Sequence, residues 1–381
     1  MKNDFVYINR LSSFFPNRPV ENDEMEQYIG LVNEKSLLAK RLVLGKNGIK
    51  RRYYALDKSG RVTHTNAVMA ANAVRGLLDE ELTLDKIDLL SCGTASPEQV
   101  MPSHGVMVHG ELKGSRHTEV VSFAGSCCTG MQALKYAHYA TLAGDAANAV
   151  CVASERLSAW MMARYFEKES ELLAQLDKRP MLAFEKEFLR WMLSDGSVAL
   201  LLQGKPSDND LSYRIEWIEL TSFANETETC MYAGGDKNEK GELLGWTQFP
   251  EKDWLDRSIF SLKQDTRLLE NNIVKLGGRF LREIAAKRNF DPSSVDWFMP
   301  HLSSMYFAAK IEAELKAYGY DIPGEKWFVN LPETGNVASV SAFAMLDDLK
   351  RSGRAGKGDR ILIMVPESAR FTYAYALLTI C

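Results

Sequence analysis

Hydrophobic and polar positions form two kinds of pattern along this 381-residue chain. Apolar residues recur every three or four positions at residues 66–78, which predicts an amphipathic helix. Short and nearly continuous apolar runs, such as residues 361–365, predict strands of a sheet that is covered on both faces. Because helices and strands alternate along the chain, the pattern indicates an α/β fold.

The same order of elements occurs twice. Each copy predicts a helix, a strand, a second strand that ends in a turn of small residues, a second helix and a closing strand with an acidic end. Asp88 precedes Cys128 by 40 positions, and Asp296 precedes Asn336 by the same number. The predicted segments are 66–78, 87–90, 119–124, 131–137 and 148–155 in the first copy, and 273–284, 295–298, 326–331, 342–349 and 359–367 in the second.

The repeat divides the chain into two α/β halves, residues 1–206 and 207–381. The polar stretch 204–212 has no core pattern and marks the connection between them. Residues 157–192 belong to the first half alone, and their Met, Leu and aromatic residues at roughly helical spacing predict an inserted helical pair. This insertion is interpreted either as a cap or subunit contact, or as the wall of a substrate tunnel.

The balance of charges and the length of the apolar stretches exclude several classes of function. The chain has 46 Lys and Arg against 50 Asp and Glu, and it has no basic run, so nucleic acid is not expected as a partner. No apolar stretch approaches the roughly 20 residues that span a bilayer, so no membrane partner is expected. Asn9 and Arg10 interrupt the N-terminus before a signal-peptide core forms, which predicts a cytoplasmic protein.

The six cysteines form no CxxC pair and do not cluster with histidines at the spacing of metal ligands. We therefore expect reduced thiols and no metal. The sequence Cys127-Cys128-Thr129-Gly130 stands out because it lies where a predicted strand turns into a helix, a position whose N–H groups and dipole favour a thiolate. Two other groups with catalytic chemistry, His301 and Asn336, follow predicted strands of the second copy.

The order Cys, His, Asn, with GNxAS around the asparagine, resembles the condensing enzymes of the thiolase fold, in particular the ketoacyl-acyl-carrier-protein synthase III-like group. The resemblance covers nearly the whole chain. It implies two duplicated α/β halves in a five-layered α-β-α-β-α arrangement and a homodimer. Further matching segments are GIKRR at 48–52, MPS at 101–103, SDGSVA at 194–199 and FTY at 371–373.

The resemblance also implies the roles of the site residues. The family's cysteine is followed by a small residue and then glycine, which selects Cys128 and leaves Cys127 as its buried neighbour. Cys128 would accept an acyl group as a thioester. His301 and Asn336 would bind the carbonyl oxygen of a second substrate, carried on the phosphopantetheine of an acyl carrier protein, for a Claisen condensation that needs no metal or other cofactor.

Two departures from the family bear on the substrates. Leu42 stands where the members that use CoA place a tryptophan, which disfavours acyl-CoA as the donor, although acyl-CoA and acyl carrier protein both stay open. Residues 368–370 replace a triple glycine that helps to build the oxyanion hole, and Ala369 would supply the remaining donor. These features are most similar to the ketosynthase/cyclases of dialkylresorcinol and cyclohexanedione biosynthesis, which join an acyl and a β-ketoacyl unit and close a ring.

Other activities stay open. One is a decarboxylative synthase that uses malonyl carrier protein and gives a linear β-ketoacyl product. Another is an acyltransferase of the same fold, and a third is a non-catalytic partner subunit. The intact Cys-His-Asn set disfavours the third.

Further residues are candidates for more specific roles. Glu155 ends a strand on the side of Cys128 and is either a base for ring closure or a structural carboxylate. By resemblance, Met101 would reach the acyl pocket of the partner subunit. Lys275, Arg279 and Arg282 fall on one helical face, which is either a carrier-protein contact or an ordinary solvated surface.

Overall fold

The structure is a computed structural model that describes residues 2–31, 36–166 and 188–381. The strands are β1 (Tyr7–Phe14), β2 (Val20–Glu21), β3 (Arg51–Arg52), β4 (Leu89–Thr94), β5 (Glu119–Ala124), β6 (Ala149–Glu155), β7 (Gly196–Gln203), β8 (Tyr213–Ser222), β9 (Met231–Tyr232), β10 (Gly235–Lys237), β11 (Leu243–Gly245), β12 (Lys263–Gln264), β13 (Trp297–Pro300), β14 (Arg360–Pro366) and β15 (Thr372–Ile380). The helices are α1 (Glu26–Ile29), α2 (Ser36–Asn47), α3 (Asn66–Arg75), α4 (His104–Glu111), α5 (Thr129–Ala143), α6 (Glu251–Asp256), α7 (Thr266–Arg288), α8 (Ala308–Ala317), α9 (Leu331–Thr334) and α10 (Ser341–Ser352).

Nine strands form one mixed sheet in the order β13-β14-β15-β8-β1-β7-β6-β4-β5. Strands β5, β4 and β6 run parallel to one another, as do β13 and β14. Strands β7 and β15 pair antiparallel with β6 and β14. Strands β1 and β8 join the two copies through only two residue pairs, Tyr7 with Arg214 and Ile8 with Tyr213. The sheet is therefore two similar parts with a narrow junction, as the internal repeat predicts.

The helices and the two parts of the sheet form five layers. Helices α3 and α4 cover one face of the N-terminal part, and α5 and α10 lie between the two parts. Helices α7 and α8 pack together, and α7 contacts β15 of the C-terminal part. Strands β4, β6 and β7 are buried almost throughout, which explains their continuous apolar sequences.

One predicted strand is wrong. The sequence predicts a strand at residues 326–331, but this segment forms only a single bridge, between Phe298 and Trp327. The chain turns at once into α9, which has Pro332 in its first turn. Proline has no N–H to donate to a sheet and its fixed φ favours the start of a helix, so the segment cannot continue as a strand.

The predicted connection between the halves joins two strands of the large sheet. Residues 204–212 contain no strand or helix and link β7 to β8, at the place where the sequence predicts the boundary. Most of the predicted insertion falls on residues 167–187, which lie outside the described residues. Its described flanks are short 3-10 turns, Leu157–Trp160, Ala163–Tyr165 and Phe188–Trp191.

Within the described part of the chain, no helix has both the length and the apolar character needed to cross a bilayer.

The contact between Gly130 and Ser339 gives a test of how the halves pack. A Cβ at Gly130, on α5, would lie 2.5 Å from the main-chain oxygen of Ser339 and 3.2 Å from the Cβ of Ala153. We predict that Gly130→Ala lowers the free energy of unfolding by about 2 kcal/mol or more in denaturant titrations, because backbone atoms of both halves must move apart. Gly356→Ala is the control, since its Cβ would have no neighbour within 4 Å. Equal stability of the two variants would contradict this packing.

Candidate active site

The two adjacent cysteines lie at the start of α5, as the sequence predicts. Strand β5 ends at Ala124, and Cys128 is the N-cap residue of the helix, with φ −80° and ψ −6°. The turn between them is closed by Thr129, whose N–H and hydroxyl both donate to the main-chain oxygen of Ser126. This strand–turn–helix places both thiols on the C-terminal side of the first sheet part.

The thiol of Cys128 points to the C-terminal half. It is 2 % exposed, and its Sγ donates to the main-chain oxygens of Val365 at 3.3 Å and Thr372 at 3.6 Å. Burial, the charge of Glu367 and the neighbouring Cys127 raise its pKa well above the usual value, and a hydrogen bond from the N–H of Ala374 offsets only part of this. Burial in the free protein therefore opposes the thiolate that the helix terminus is expected to favour.

A cavity of about 180 Å³ lies between the two halves, next to the cysteines. Cys127, His301 and Asn336 line it, whereas Cys128 is not among the described residues that do so. Burial is the main reason that the pKa of Cys127 is raised to about 12, so this thiol is also protonated. The apolar wall comes from both halves and includes Leu157, Trp160, Leu189, Leu193, Leu262, Leu269, Ile273, Val274, Phe307 and Ile311.

His301 is held at the end of β13 as a neutral imidazole. Its N–H donates to the main-chain oxygen of Met364 at 2.7 Å, which fixes the backbone beside β14. Burial lowers the pKa of its ring to about 4, and the buried ring nitrogen Nδ1 has no hydrogen-bond partner among the described residues. A neutral imidazole in an apolar cavity can donate one hydrogen bond to a carbonyl oxygen.

Asn336 is fixed by its own loop. Its N–H donates to the main-chain oxygen of Met192 at 2.8 Å, and its main-chain oxygen accepts from the N–H of Ser194 at 2.9 Å. The side-chain Oδ1 accepts from the N–H of Ala338 at 2.9 Å. Because the carboxamide oxygen is occupied, the Nδ2 donors are the part of this side chain that can serve a ligand.

Glu155 is fully buried between the two halves. Its carboxylate accepts hydrogen bonds from the hydroxyl of Ser96 at 2.6 Å and the N–H of Ala95 at 2.9 Å on one side, and from the hydroxyl and N–H of Ser339 on the other. Burial raises the pKa of Glu155 to about 7, against the opposing effect of these hydrogen bonds. Ala95 and Ala338 line the cavity beside it, so the carboxylate is one residue away from that space.

The structure places Ala369 in the wall of the cavity, but its N–H is engaged. It donates to the carboxylate of Glu367 at 2.6 Å. Met101 lies outside the cavity of its own chain and is 83 % exposed, in the loop before α4.

The three basic residues on α7 differ in their contacts. Arg279 pairs with Glu226 at 2.9 Å and with Glu283 at 3.2 Å, so its charge is neutralised within the chain. The guanidinium of Arg282 lies over the ring of Tyr318, at 5.2 Å, and Lys275 is exposed. The opposite face of α7 carries Leu269, Ile273 and Val274 of the cavity wall, so this basic surface lies just outside the cavity.

Comparison with known proteins identifies the arrangement. The family described as 3-oxoacyl-(acyl-carrier-protein) synthase III C terminal matches residues 285–380, the part that carries His301 and Asn336. A beta-ketoacyl-(acyl-carrier-protein) synthase III of Xanthomonas oryzae pv. oryzae is 23% identical over 379 residues, which cover 99% of each chain. A solved structure of an OleA variant from Xanthomonas campestris has a TM-score of 0.76 and 21% identity, covering 100% of this chain and 99% of that one. The structure described as AbyA1, a tetronic acid condensing enzyme, has a TM-score of 0.75 and 19% identity, covering 98% and 99%.

The chain has the thiolase fold, and over almost its whole length it is similar to the condensing enzymes of the ketoacyl-acyl-carrier-protein synthase III type. The fold class and the resemblance inferred from the sequence are thereby confirmed. The division at residues 206 and 207 and the roles of the individual site residues remain predictions.

Two features of this thiolase-fold site were missed from the sequence. The first is Glu367, which the sequence analysis includes only as the acidic end of the closing strand 359–367, although its carboxylate organises the turn beside the cysteines. The second is that Cys127, and not Cys128, faces the cavity. The acidic end of the closing strand could have pointed to Glu367. Nothing in the sequence shows which of two adjacent thiols faces the cavity.

The buried carboxyl group of Glu155 predicts a pH-dependent stability. Glu155 keeps its proton up to about pH 7 in the folded protein, whereas the unfolded chain releases it near the ordinary glutamate pKa of 4.5. The free energy of unfolding therefore falls as the pH rises between these values, by about 3 kcal/mol from this group. In Glu155→Gln this fall disappears. In urea titrations from pH 5 to pH 8, the free energy of unfolding of the variant should therefore rise relative to that of the wild type. The exposed Glu239→Gln controls for the loss of one carboxylate, and parallel curves for wild type and Glu155→Gln would contradict the assignment.

Proposed function

We propose that the protein is a ketosynthase that forms a carbon–carbon bond between an acyl group held as a thioester on Cys128 and a thioester bound to acyl carrier protein. One observation carries this proposal. Neutral donors on His301 and Asn336 share a mostly apolar cavity with the cysteine-bearing end of α5. The similarity to the synthase III relatives supports it.

The first step is acyl transfer. The Cys128 thiol turns about its Cα–Cβ bond from the oxygens of Val365 and Thr372 towards the cavity and attacks the carbonyl carbon of an acyl thioester. The new carbon–sulfur bond to Cys128 forms as the bond to the carrier's sulfur breaks, and the proton of the Cys128 thiol passes to the departing thiolate. The apolar wall of the cavity then holds the acyl chain.

The second step is condensation. His301 and Asn336 donate hydrogen bonds to the carbonyl oxygen of the carrier-bound thioester and stabilise the enolate that forms when its α-carbon loses a proton or carbon dioxide. The enolate carbon attacks the acyl carbonyl, and the bond to the Cys128 sulfur breaks. The Cys128 thiolate then takes up the proton that the α-carbon released, or a proton from solvent where carbon dioxide was lost. Neutral donors suit this step, since a buried charge would need a counterion.

The finer proposal is that the second substrate is a β-ketoacyl thioester and that a ring closes to a cyclohexanedione or resorcinol precursor. Glu155 supports this part, because a carboxyl group with a pKa near 7 can take up and release a proton at neutral pH. Its hydroxyl partners Ser96 and Ser339 lie beside the cavity-lining Ala95 and Ala338, so a reorientation of one hydroxyl would open a path for the proton.

We also propose that the enzyme is a homodimer. Strand β5 lies at one end of the nine-stranded sheet and leaves its outer edge without a neighbouring strand in the described chain. The segments that precede and follow β5 in the sequence carry exposed apolar side chains, namely Val100, Met101, Val106, Met107 and Tyr139. A second copy that covers them would bury apolar surface and bring Met101 towards the other subunit.

Acylation tests the nucleophile directly. After incubation with acyl thioesters of CoA and of acyl carrier protein, intact-mass spectrometry should show one acyl group on the wild type and none on Cys128→Ala. Cys127→Ala should still be acylated, and Cys381→Ser, at the far end of β15, is the matched control.

Adding β-ketoacyl carrier protein should then release a cyclic diketone. A linear product would retain the ketosynthase and exclude ring closure. Absence of acylation from every donor would contradict the proposed function and favour the non-catalytic partner subunit.

A substitution on α7 tests whether an acyl carrier protein docks on this helix. Because Lys275 is exposed whereas Arg279 is paired with two carboxylates, we predict that Lys275→Glu raises KM for an acyl carrier protein substrate about tenfold and leaves kcat for a short pantetheine thioester within about twofold. Lys357→Glu, in the loop beside Ile380, is the control for the added charge. Equal KM values for the two variants would place the carrier protein elsewhere.

A further inference from the structure

Glu367 lies between the two strands that meet the cysteines. It follows β14, which ends at Pro366, and it precedes the turn of residues 368–370. Its neighbours Pro366, Ser368 and Ala369 line the cavity, whereas Glu367 is itself buried, with 6 % exposure. A carboxylate at this depth needs partners that stabilise its charge.

Those partners are main-chain amides. One carboxylate oxygen of Glu367 accepts from the N–H of Ala369 at 2.6 Å and of Arg370 at 3.2 Å, and the other accepts from the N–H of Thr372 at 3.1 Å. Convergent amides of this kind form an anion-binding nest. In this chain the nest already holds an anion that the protein itself supplies.

The same contacts explain how one residue other than glycine, Phe371, fits the turn. Phe371 has φ +59°, in the left-handed region that side chains other than glycine rarely adopt. The hydrogen bonds to Glu367 on both sides of Phe371 hold this conformation. The carboxylate therefore stabilises at Phe371 a backbone conformation that glycine would adopt freely.

The carboxylate is also close to the thiol of Cys128. Thr372 donates its N–H to Glu367 and accepts the Cys128 thiol on its own oxygen. The second acceptor of that thiol, Val365, is two residues from Glu367. The charge of Glu367 raises the pKa of both Cys127 and Cys128.

The other titratable groups around the two thiols do not reverse this effect. Glu155 raises the pKa of Cys127 further, and Tyr373 and Cys230 are buried groups whose own pKa values are raised. His301 reaches the cavity from β13 with a pKa lowered to about 4, so it is neutral at neutral pH.

We propose that Glu367 is a positioning residue that builds the turn beside the reacting thiols, occupies the Ala369 amide in place of the thioester oxyanion, and places a negative charge beside both thiols. This rests on the proposed function for the identity of the nucleophile. The earlier expectation of an oxyanion donor at Ala369 is replaced by one in which the N–H of Cys128 carries that role.

The experiment compares Glu367→Gln with Glu367→Asp. Gln keeps an acceptor oxygen for the turn but removes the charge, whereas Asp keeps the charge and shortens the reach. Iodoacetamide alkylation from pH 6 to pH 10, with peptide mapping to locate the label, should run roughly three- to tenfold faster at pH 8 in Glu367→Gln. Glu312→Gln, an exposed carboxylate on α8, is the control.

The two variants also separate charge from geometry. In Glu367→Asp we expect alkylation as slow as in the wild type and a raised KM for the acyl thioester, because the turn is disturbed while the charge remains. Alkylation of Glu367→Gln at the wild-type rate would overturn the proposal. If Glu367→Gln does not fold, fast alkylation in Glu367→Asp would overturn it, since a purely structural carboxylate would expose the thiols when shortened.

Failure of the proposed function gives a different result. The mapping reports which cysteine carries the label, and Glu367 affects both thiols. A protein that no acyl thioester modifies would lose its ketosynthase assignment, yet the effect of Glu367→Gln on alkylation would still be measurable.

Discussion

Gly130 lies where α5 of the N-terminal half meets the loop that carries Asn336, and only a hydrogen in place of a side chain allows the oxygen of Ser339 to approach. Every group of the candidate site depends on this approach. It brings the cysteine pair of one half within reach of His301 and Asn336 of the other, and it positions Ser339 to bind Glu155. The narrow pairing of β1 with β8 adds only two residue pairs, so the halves meet mainly through α5, α10 and the loop that carries Ser339.

Burial then decides the charge state of the site. It favours the neutral form of the His301 imidazole and of both thiols, and it brings the carboxyl group of Glu155 into the physiological range. A site of neutral donors and a protonated nucleophile suits chemistry in which charge appears only as bonds change. Glu367 differs from these groups, because its carboxylate accepts hydrogen bonds from three main-chain amides.

The sequence predicts the features that depend on local pattern and repetition. The strands at residues 119–124 and 148–155, the helix at residue 66 and the duplicated order of elements all follow from periodicity and turn residues. The strand predicted at 326–331 fails because Pro332 starts a helix there. Thiolate formation at Cys128 was predicted from the helix terminus alone, without the burial that only the packed C-terminal half provides.

The rest could not be derived because it depends on contacts between distant segments. Two adjacent cysteines look alike in sequence, and their different surroundings arise from β14 and β15, more than 230 residues away. The nest around Glu367 requires the turn to fold back on its own side chain. The resemblance to the synthase III family supplied the three expected site residues, and the cavity brings two of them together with Cys127.

The central claim is that the acyl chain occupies the shared cavity while it is bound to Cys128. A crystal structure of His301→Ala after incubation with an acyl thioester of N-acetylcysteamine tests it most directly, because that variant should be acylated but slow to condense. The account predicts density that continues from Sγ of Cys128 into the cavity, with the carbonyl oxygen at hydrogen-bond distance from the N–H of Cys128. Density attached to Cys127, or an acyl chain outside the cavity, would contradict it.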